Sequence, residues 1–180
     1  MESKNLIIRE SVFEDCELFY KWENDPAVDE FFTFDNTERT FENIVTEFVR
    51  FRLDPTKAQF TILLKPDEKP IGRIYLSGIS KAYDSLDITR IYIADPAMRN
   101  HGYGEEALRL ILEYAFIQLH MERVTLDHLI KNKHAAHVYE KVGFVDEALM
   151  RHGGKKAGKY VDLQLKSMLR AEYYDKIHTK

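Results

Sequence analysis

The chain has 180 residues, of which 44% are hydrophobic and 31% charged, the composition of an ordinary globular domain. Its 26 Lys and Arg residues are outnumbered by 30 Asp and Glu residues, which argues against a nucleic-acid binder that depends on phosphate contacts. A single cysteine, Cys16, excludes an internal disulfide and indicates a reducing compartment. Without a signal peptide or a bilayer-length apolar run, we expect one cytoplasmic domain over residues 1–180 that binds no membrane.

The first half of the chain predicts a strand, two helices and the start of a sheet. Ser11 and Glu14 have the spacing of a capping box, and apolar residues recur at helical spacing in the second helix. In order, we predict a strand at Leu6–Arg9, a helix from Ser11 to about Trp22, a loop at 27–36, a helix from about Thr37 to Arg52, and strands at Gln59–Lys65, Ile71–Ile79 and Asp87–Ala94. Short links between the last three strands predict an antiparallel meander.

The second half alternates helices and strands. We predict a long helix from about Gly102 to His120, a strand at Arg123–Ile130, a short helix at Asn132–Val142 capped by Gly143, a hairpin of Val145–Arg151 and Tyr160–Leu169 with a loop at 152–159, and a charged tail at 169–180. A helical link between two strands makes them parallel neighbours, so the strand at Arg123 is expected beside the strand at Asp87.

The chain is organised around the segment Arg99-Asn100-His101-Gly102-Tyr103-Gly104, which opens the long helix. Two glycines allow close approach of a ligand to the backbone. The first N–H groups of a helix have no partner within the helix, and its dipole favours anions there. We therefore predict the binding site of a pyrophosphate at this segment.

Two signatures in this half resemble the GCN5-related N-acetyltransferase (GNAT) superfamily. The first is Arg99-x-x-Gly102-x-Gly104, which is similar to that family's acetyl-CoA loop. The second follows at the usual distance, and its residues are Asn132, Ala135, Tyr139, Gly143 and Phe144. The N-terminal Leu-x-x-Arg segment and the closing Tyr160-Val161-Asp162 are similar to the branch of ribosomal-protein and spermidine acetyltransferases.

The resemblance implies a mixed α/β sheet of about seven strands flanked by helices, acetyl-CoA as acetyl donor, and defined binding roles. Backbone groups of Ile91, Tyr92 and Ile93 would pair with the pantetheine arm like an added strand. The amides from Arg99 to Glu105 would bind the pyrophosphate. Asn132 would hydrogen-bond the pantetheine and Tyr139 would face the thiol. Relatives are commonly homodimers, so a homodimer is possible.

Acetyl transfer to an amine requires a neutral amine, a donor for the developing oxyanion and an acid for the leaving thiolate. A strand amide near Ile93 suits the oxyanion. Tyr139 suits the acid, because its ordinary pKa of about 10 lies close to the value of about 8.5 for a thiol. Tyr139 lies seven positions after Asn132, which is two helical turns, so both share one helix face.

The sequence offers several candidates for the group that removes the proton of the amine. Many relatives have a glutamate where this chain has Ile88. Water-mediated removal of the proton is the first expectation, and Asp87, Glu10 and Asp162 are alternatives. The missing glutamate also favours a rival interpretation, in which the chain is a non-catalytic CoA-binding or regulatory module.

Other patterns have ordinary explanations. Gly102-x-Gly104 followed by Asp127 fits a dinucleotide fingerprint, but seven residues separate the preceding strand from the glycine. His134 and His137 are expected at the surface without a metal, His101 is expected to support the loop, and Cys16 is expected to pack as a small apolar residue.

An acidic and aromatic segment between the first two helices bears on substrate choice. An acidic wall there attracts a cationic amine, although a solvated charged loop is the favoured interpretation. The acidic residues are Asp25, Asp29, Glu30, Asp35 and Glu38, and the aromatic residues, which cover the pantetheine end or fill the core, are Phe31, Phe32 and Phe34. The sequence thus predicts an acetyl-CoA-dependent N-acetyltransferase for a primary amine, such as a polyamine, an amino sugar or antibiotic, or a protein N-terminus.

Overall fold

A single mixed sheet of seven strands organises the fold in a computed structural model that describes residues 1–33 and 39–178. The strands are β1 (Leu6–Glu10), β2 (Ala58–Leu64), β3 (Lys69–Ser80), β4 (Ser85–Ile93), β5 (Arg123–Leu129), β6 (Val145–Lys156) and β7 (Lys159–Leu169). Their order in the sheet is β1-β2-β3-β4-β5-β7-β6. The predicted fold class is therefore confirmed.

Of the strand pairs in this sheet, the β4–β5 pair is parallel and the others are antiparallel. Strands β1 to β4 are antiparallel neighbours, as the meander predicts, whereas β4 and β5 are parallel. Because β3 and β4 are antiparallel, the glycine segment that follows β4 is not a Rossmann dinucleotide site, whose sheet is built from parallel strands. Strand β7 lies between β5 and β6, so the final hairpin folds back onto the sheet centre.

Six α-helices flank this sheet in the described ranges. They are α1 (Asp15–Glu23), α2 (Pro26–Asp29), α3 (Phe41–Arg52), α4 (Tyr103–Glu113), α5 (Lys133–Val142) and α6 (Arg170–His178). A wider π-helical turn at Tyr114–Gln118 continues α4. The short helix α2 occupies part of the segment that we predict as loop, and no helix is long and apolar enough to span a membrane in these two ranges.

The predicted capping box of α1 is wrong. The hydroxyl of Ser11 is buried and lies 3.0 Å from that of Thr61, so a tertiary contact takes the group that would cap the helix. Glu14 makes no side-chain capping bond, and the Asp15 carboxylate instead accepts the N–H of Val12 at 2.9 Å. The helix consequently begins four residues after Ser11.

The C-terminal region is more regular than predicted. The glycine-rich stretch at 152–159 is mostly strand, because a two-residue turn of Ala157 (φ 50°) and Gly158 (φ 74°) connects β6 to β7. Positive φ at both central residues matches the twist of a tight hairpin. The charged tail forms α6, and its Tyr173 ring stacks on Phe116 with centroids 4.8 Å apart.

Two hydrophobic clusters stabilise these layers. The larger one joins the sheet to α4, and the α4 residues Ala107, Leu108 and Ile111 are fully buried in it. The smaller one joins α1 to α3 and contains Cys16, Phe19, Ile44 and Phe48. Cys16 is therefore the buried apolar packer that the sequence predicts.

Candidate active site

The site begins where β4 and β5 separate. Their parallel ladder comprises three pairs and ends with Asp87 opposite Thr125. In β4, Thr89 is an extra residue, since Tyr75 and Leu76 of β3 face Arg90 and Ile88. Such a bulge twists its strand and often re-aims residues beside an active site. The remainder of β4, up to Ile93, therefore faces an opening on its β5 side.

A cavity of about 590 Å³ fills this opening. Most of the predicted site residues line it, namely Ile91, Tyr92, Ile93, Arg99, Asn100, Gly102, Gly104, Glu105, Asn132 and Tyr139. His101 and Tyr103 do not line it; their rings stack on each other with centroids 5.7 Å apart. For these two residues the prediction concerns backbone amides alone.

The glycines of the loop leave open space at the start of α4. Gly102 is the N-cap residue and has a left-handed φ of 84°, which glycine adopts without strain. A Cβ atom added to Gly104 would meet no atom within 4 Å. The first-turn amides consequently border a gap that the protein does not fill, which suits a bound diphosphate.

Side chains brace this loop from both ends. Arg99 donates to the carbonyl oxygens of Ile93 at 3.1 Å and of Ala94 at 3.2 Å, which ties the loop to the end of β4. A hydrogen bond from Lys141 lowers the pKa of Glu105, and Arg109 contributes further against the effect of burial. The carboxylate of Glu105 is thus already paired with cations.

Asn132 and Tyr139 both reach the cavity from α5. The amide oxygen of Asn132 caps the helix by accepting the N–H of Ala135 at 3.1 Å, which leaves its NH2 group to donate elsewhere. Tyr139 lies against His128 and Phe144, with ring centroids at 5.7 and 6.1 Å. The helix register therefore brings an amide donor and a phenol to the same wall.

The environment of Tyr139 differs from the expectation of an ordinary pKa. Burial raises the pKa of its hydroxyl well above the usual range, and the charge of Asp127 raises it further. The phenol consequently stays protonated throughout the range in which enzymes work. It is a proton donor at rest and becomes a strong base once it has given its proton away.

None of the three predicted carboxylate bases lines the cavity. Asp87 accepts hydroxyl hydrogen bonds from Thr89 and Thr125, both at 2.8 Å. Glu10 is exposed at the end of β1, and Asp162 accepts the N–H of His152 at 2.7 Å in the terminal hairpin. Asp127 and His128 do line it, and neither is among the predicted catalytic or binding residues. Both residues lie on β5 beyond the part that pairs with β4, and polar residues at such a position indicate candidates for the site.

Two residues of the predicted acidic wall are held by contacts within the protein. Asp25 caps α2, and Lys156 binds the Asp29 carboxylate at 3.0 Å. Glu30 is exposed, while Asp35 and Glu38 lie outside the described residues. Of the predicted aromatic residues, Phe31 and Phe32 line the cavity, and Phe34 lies outside the described ranges as well.

A buried ionic cluster lies beneath this side of β4. It consists of Glu23, Glu47, Arg39, Arg73 and Arg90. The Tyr92 hydroxyl also donates to Glu23 at 3.2 Å. Since Arg90 and Tyr92 line the cavity, the cluster fixes part of its wall.

His134 and His137 are exposed, and no group of three or more His, Cys, Asp or Glu that could hold a metal occurs in the part of the chain that is described.

Known proteins share this architecture. The spermidine N-acetyltransferase of Vibrio cholerae, solved in complex with CoA and spermine, superposes with a TM-score of 0.87 at 21% identity, over 96% of this chain and 99% of that one, which establishes the fold. The uncharacterized N-acetyltransferase p20 of Bacillus licheniformis is 23% identical over 95% of this chain and 96% of its own length. The spermidine N(1)-acetyltransferase of V. cholerae is 27% identical over 59% of this chain and 60% of its own length.

The family assignment rests on a match to a family model. Residues 5–145 match the family model of the acetyltransferase (GNAT) domain, which is most of the chain. The predicted resemblance is thereby confirmed, and with it the expectation of an N-acetyltransferase. The chain belongs to the GNAT family of acetyltransferases.

Proposed function

We propose that this chain transfers an acetyl group from acetyl-CoA to a primary amine within a ternary complex. The observation that carries the proposal is a single cavity whose wall joins the glycine loop, the open edge of β4 and the Tyr139 side chain. A phosphate-binding loop alone would fit many ligands. A loop, an unpaired strand edge and a buried phenol around one space fit a long cofactor arm that ends in a reactive group.

The residues around the cavity fit acetyl-CoA from end to end. Amides at the start of α4, around Gly102 and Gly104, would hold the diphosphate. The open edge of β4 at Ile91–Ile93 would pair with the pantetheine amides in the manner of an added strand. The spare NH2 group of Asn132 would donate to the same arm. When bound, acetyl-CoA supplies an activated acetyl group at the end of the arm.

The protein groups divide the chemistry among them. A backbone amide near Ile93 would stabilise negative charge on the acetyl carbonyl oxygen. The phenol of Tyr139, kept protonated by its surroundings, would donate its proton to the departing sulfur. Ile88, where many relatives have a glutamate, is buried and offers no base. The proton of the amine must therefore leave by another group or through water.

The amine itself is the finer part of the proposal. The relatives named as spermidine acetyltransferases support a polyamine, whereas the pairing of Glu23 and Glu47 with arginines leaves fewer free carboxylates for a polycation. We therefore keep polyamines, amino sugars or antibiotics, and protein N-termini as candidate acceptors. A cytoplasmic location and a homodimer also remain predictions.

Free thiol release with acetyl-CoA and an amine panel tests the proposal. The panel contains spermidine, an amino sugar, an aminoglycoside and a peptide with a free N-terminus, and the Gly104→Val variant serves as the control for uncatalysed transfer. We expect the wild-type chain, but not the variant, to release thiol with at least one amine. Tight acetyl-CoA binding without turnover of any amine would instead favour a CoA-binding or regulatory module.

A further inference from the structure

We propose that the carboxylate of Asp127 accepts the proton that the amine must lose, an assignment that rests on the proposed acetyltransferase function. The ladder between β4 and β5 ends at Asp87 and Thr125. Alternate residues of a strand share a face, so Asp127 is the first β5 side chain on that face beyond the last pair. It lines the cavity, and part of its surface is open to solvent. The carboxylate therefore stands where the two strands open.

The carboxylates of Asp87 and Asp127 are used differently. Thr89 and Thr125 satisfy Asp87 with two hydroxyl hydrogen bonds. No hydrogen bond or ion pair to the Asp127 carboxylate is found among residues 1–33 and 39–178. An ionised carboxylate has about four lone-pair sites. Two of these sites are occupied on Asp87, whereas all of those on Asp127 are open to a ligand.

The electrostatic surroundings of Asp127 suit a base. The protein around it, which limits contact with bulk water, raises the pKa of Asp127, and the charge of Asp87 raises it further, while His128 acts in the opposite direction. A carboxyl group with a raised pKa is a stronger base and takes a proton from an ammonium group more readily. The other ionisable side chains of the cavity wall here are Arg90 on β4 and His134, His137, Tyr139 and Lys141 on α5, and the β7 residue opposite Asp127 is the apolar Leu165.

A second unsatisfied acceptor lies next to Asp127. His128 is only 8% exposed and lines the same cavity. Its Nδ1 atom lies 3.0 Å from the carbonyl oxygen of Leu129 and donates to it, which makes Nε2 an acceptor. Within the described ranges Nε2 is buried and has no hydrogen-bond partner. A buried unpaired acceptor costs roughly 1–3 kcal/mol, so its presence in this wall points to a ligand that brings N–H donors.

Proton transfer to Asp127 balances the reaction. An ammonium acceptor loses two protons when it becomes an amide N–H. Asp127 takes the first: an N–H bond breaks, an O–H bond forms on the carboxylate, and the nitrogen lone pair becomes free to attack the acetyl carbonyl carbon. Tyr139 gives its proton to the sulfur as the carbon–sulfur bond breaks, and then recovers the second proton from the nitrogen. Asp127 finally releases its proton to solvent on the open side of the cavity.

The test compares Asp127→Asn with Asp84→Asn, the same isosteric exchange at an exposed carboxylate in the turn before β4. We expect Asp127→Asn to lower kcat/KM about 100-fold at neutral pH, which is a typical contribution of a general base. The deficit should shrink as the pH approaches the pKa of the amine, because a neutral amine needs no base. Acetyl-CoA affinity, measured by calorimetry, should be unchanged, and the carboxyl carbon of Asp127 should titrate by NMR above the ordinary value of about 3.9.

Three results would overturn the assignment. They are a loss of less than about threefold at neutral pH, which is far below the usual contribution of a base, a loss of the same size at every pH, and a parallel loss of acetyl-CoA affinity. Each leaves the proposed function standing, because the wild-type chain still acetylates the amine. A wild-type chain that acetylates no amine would overturn both the function and the base.

Discussion

The guanidinium of Arg73 donates to the carboxylate of Glu23 at 2.6 Å, and neither side chain has any exposed surface. Arg90 and the Tyr92 hydroxyl donate to the same carboxylate oxygen, at 3.0 and 3.2 Å. Glu23 thereby connects helix α1 to strands β3 and β4 beside the cavity. Charges buried this deeply remain favourable only while every partner is present.

Replacement of Glu23 by Gln should destabilise the fold strongly, because it removes one of the two carboxylates that pair with the buried guanidinium of Arg73. Loss of one partner of a buried ion pair costs about 3–5 kcal/mol in the free energy of unfolding. Urea denaturation measures this change. Glu2→Gln is the matched control, since Glu2 pairs with Lys65 at the surface and such pairs contribute about 0–1 kcal/mol. Equal effects of the two exchanges would contradict a structural role for the buried cluster.

The same cluster should make stability depend on acid. Burial alone would raise the pKa of Glu47, but the charges of Arg90, Arg73 and Arg39 outweigh it and lower the pKa from 4.5 to about 2. A folded pKa below the unfolded one means that the stabilisation is complete above pH 4.5 and is lost as the pH falls towards 2. The shift corresponds to about 3 kcal/mol of stability.

Denaturation curves of wild-type protein and Glu47→Gln over that acidic range measure the contribution. The variant should be less stable near neutral pH and should lose less stability on acidification. Glu42→Gln, an exchange at an exposed residue of the same helix, is the control and should follow the wild-type curve. Parallel curves for wild type and Glu47→Gln would contradict the prediction, because they would show that the pKa of Glu47 does not change on folding.

Tyr139→Phe should lower kcat by about 100-fold or more, the usual contribution of a general acid, and leave acetyl-CoA affinity nearly intact. The phenyl ring retains the contacts with His128 and Phe144, so only the hydroxyl is lost. Steady-state kinetics and calorimetry separate the two quantities. Tyr114→Phe is the matched control, because Tyr114 packs on the core without lining the cavity. An unchanged kcat would remove Tyr139 from the role of acid.

The sequence predicts features that are encoded locally and misses those made by distant contacts. The glycine loop, the meander and the parallel placement of β5 follow from turn chemistry and periodicity. The pair of Arg73 and Glu23 does not, because fifty residues separate two charges that each look solvent-exposed in isolation. Ser11 illustrates the same limit: its spacing predicts a cap, but Thr61, on a strand much later in the chain, takes its hydroxyl.

Gly104→Val should abolish acetyl-CoA binding without loss of stability. A Cβ atom at this position meets nothing within 4 Å, so the folded protein has room for the branched side chain. The same side chain would occupy the space that the phosphates of the ligand need. Calorimetric titration with acetyl-CoA and a thermal melt measure the two effects. Gly104→Ala provides the graded control and should weaken binding less. Undiminished affinity in the valine variant would place the diphosphate elsewhere.

Asn132→Asp should weaken acetyl-CoA binding while it preserves the start of α5. The amide oxygen of Asn132 accepts the N–H of Ala135, and an aspartate oxygen accepts it equally well. The exchange replaces the NH2 donors that would reach the pantetheine arm with a carboxylate oxygen, whose negative charge also disfavours an anionic cofactor. Asn132→Ala removes the cap as well, and should cost about 1 kcal/mol of stability in addition to affinity. Equal acetyl-CoA affinity in wild type and Asn132→Asp, measured by calorimetry, would restrict Asn132 to capping, because the helix end is the one function that this exchange leaves unchanged.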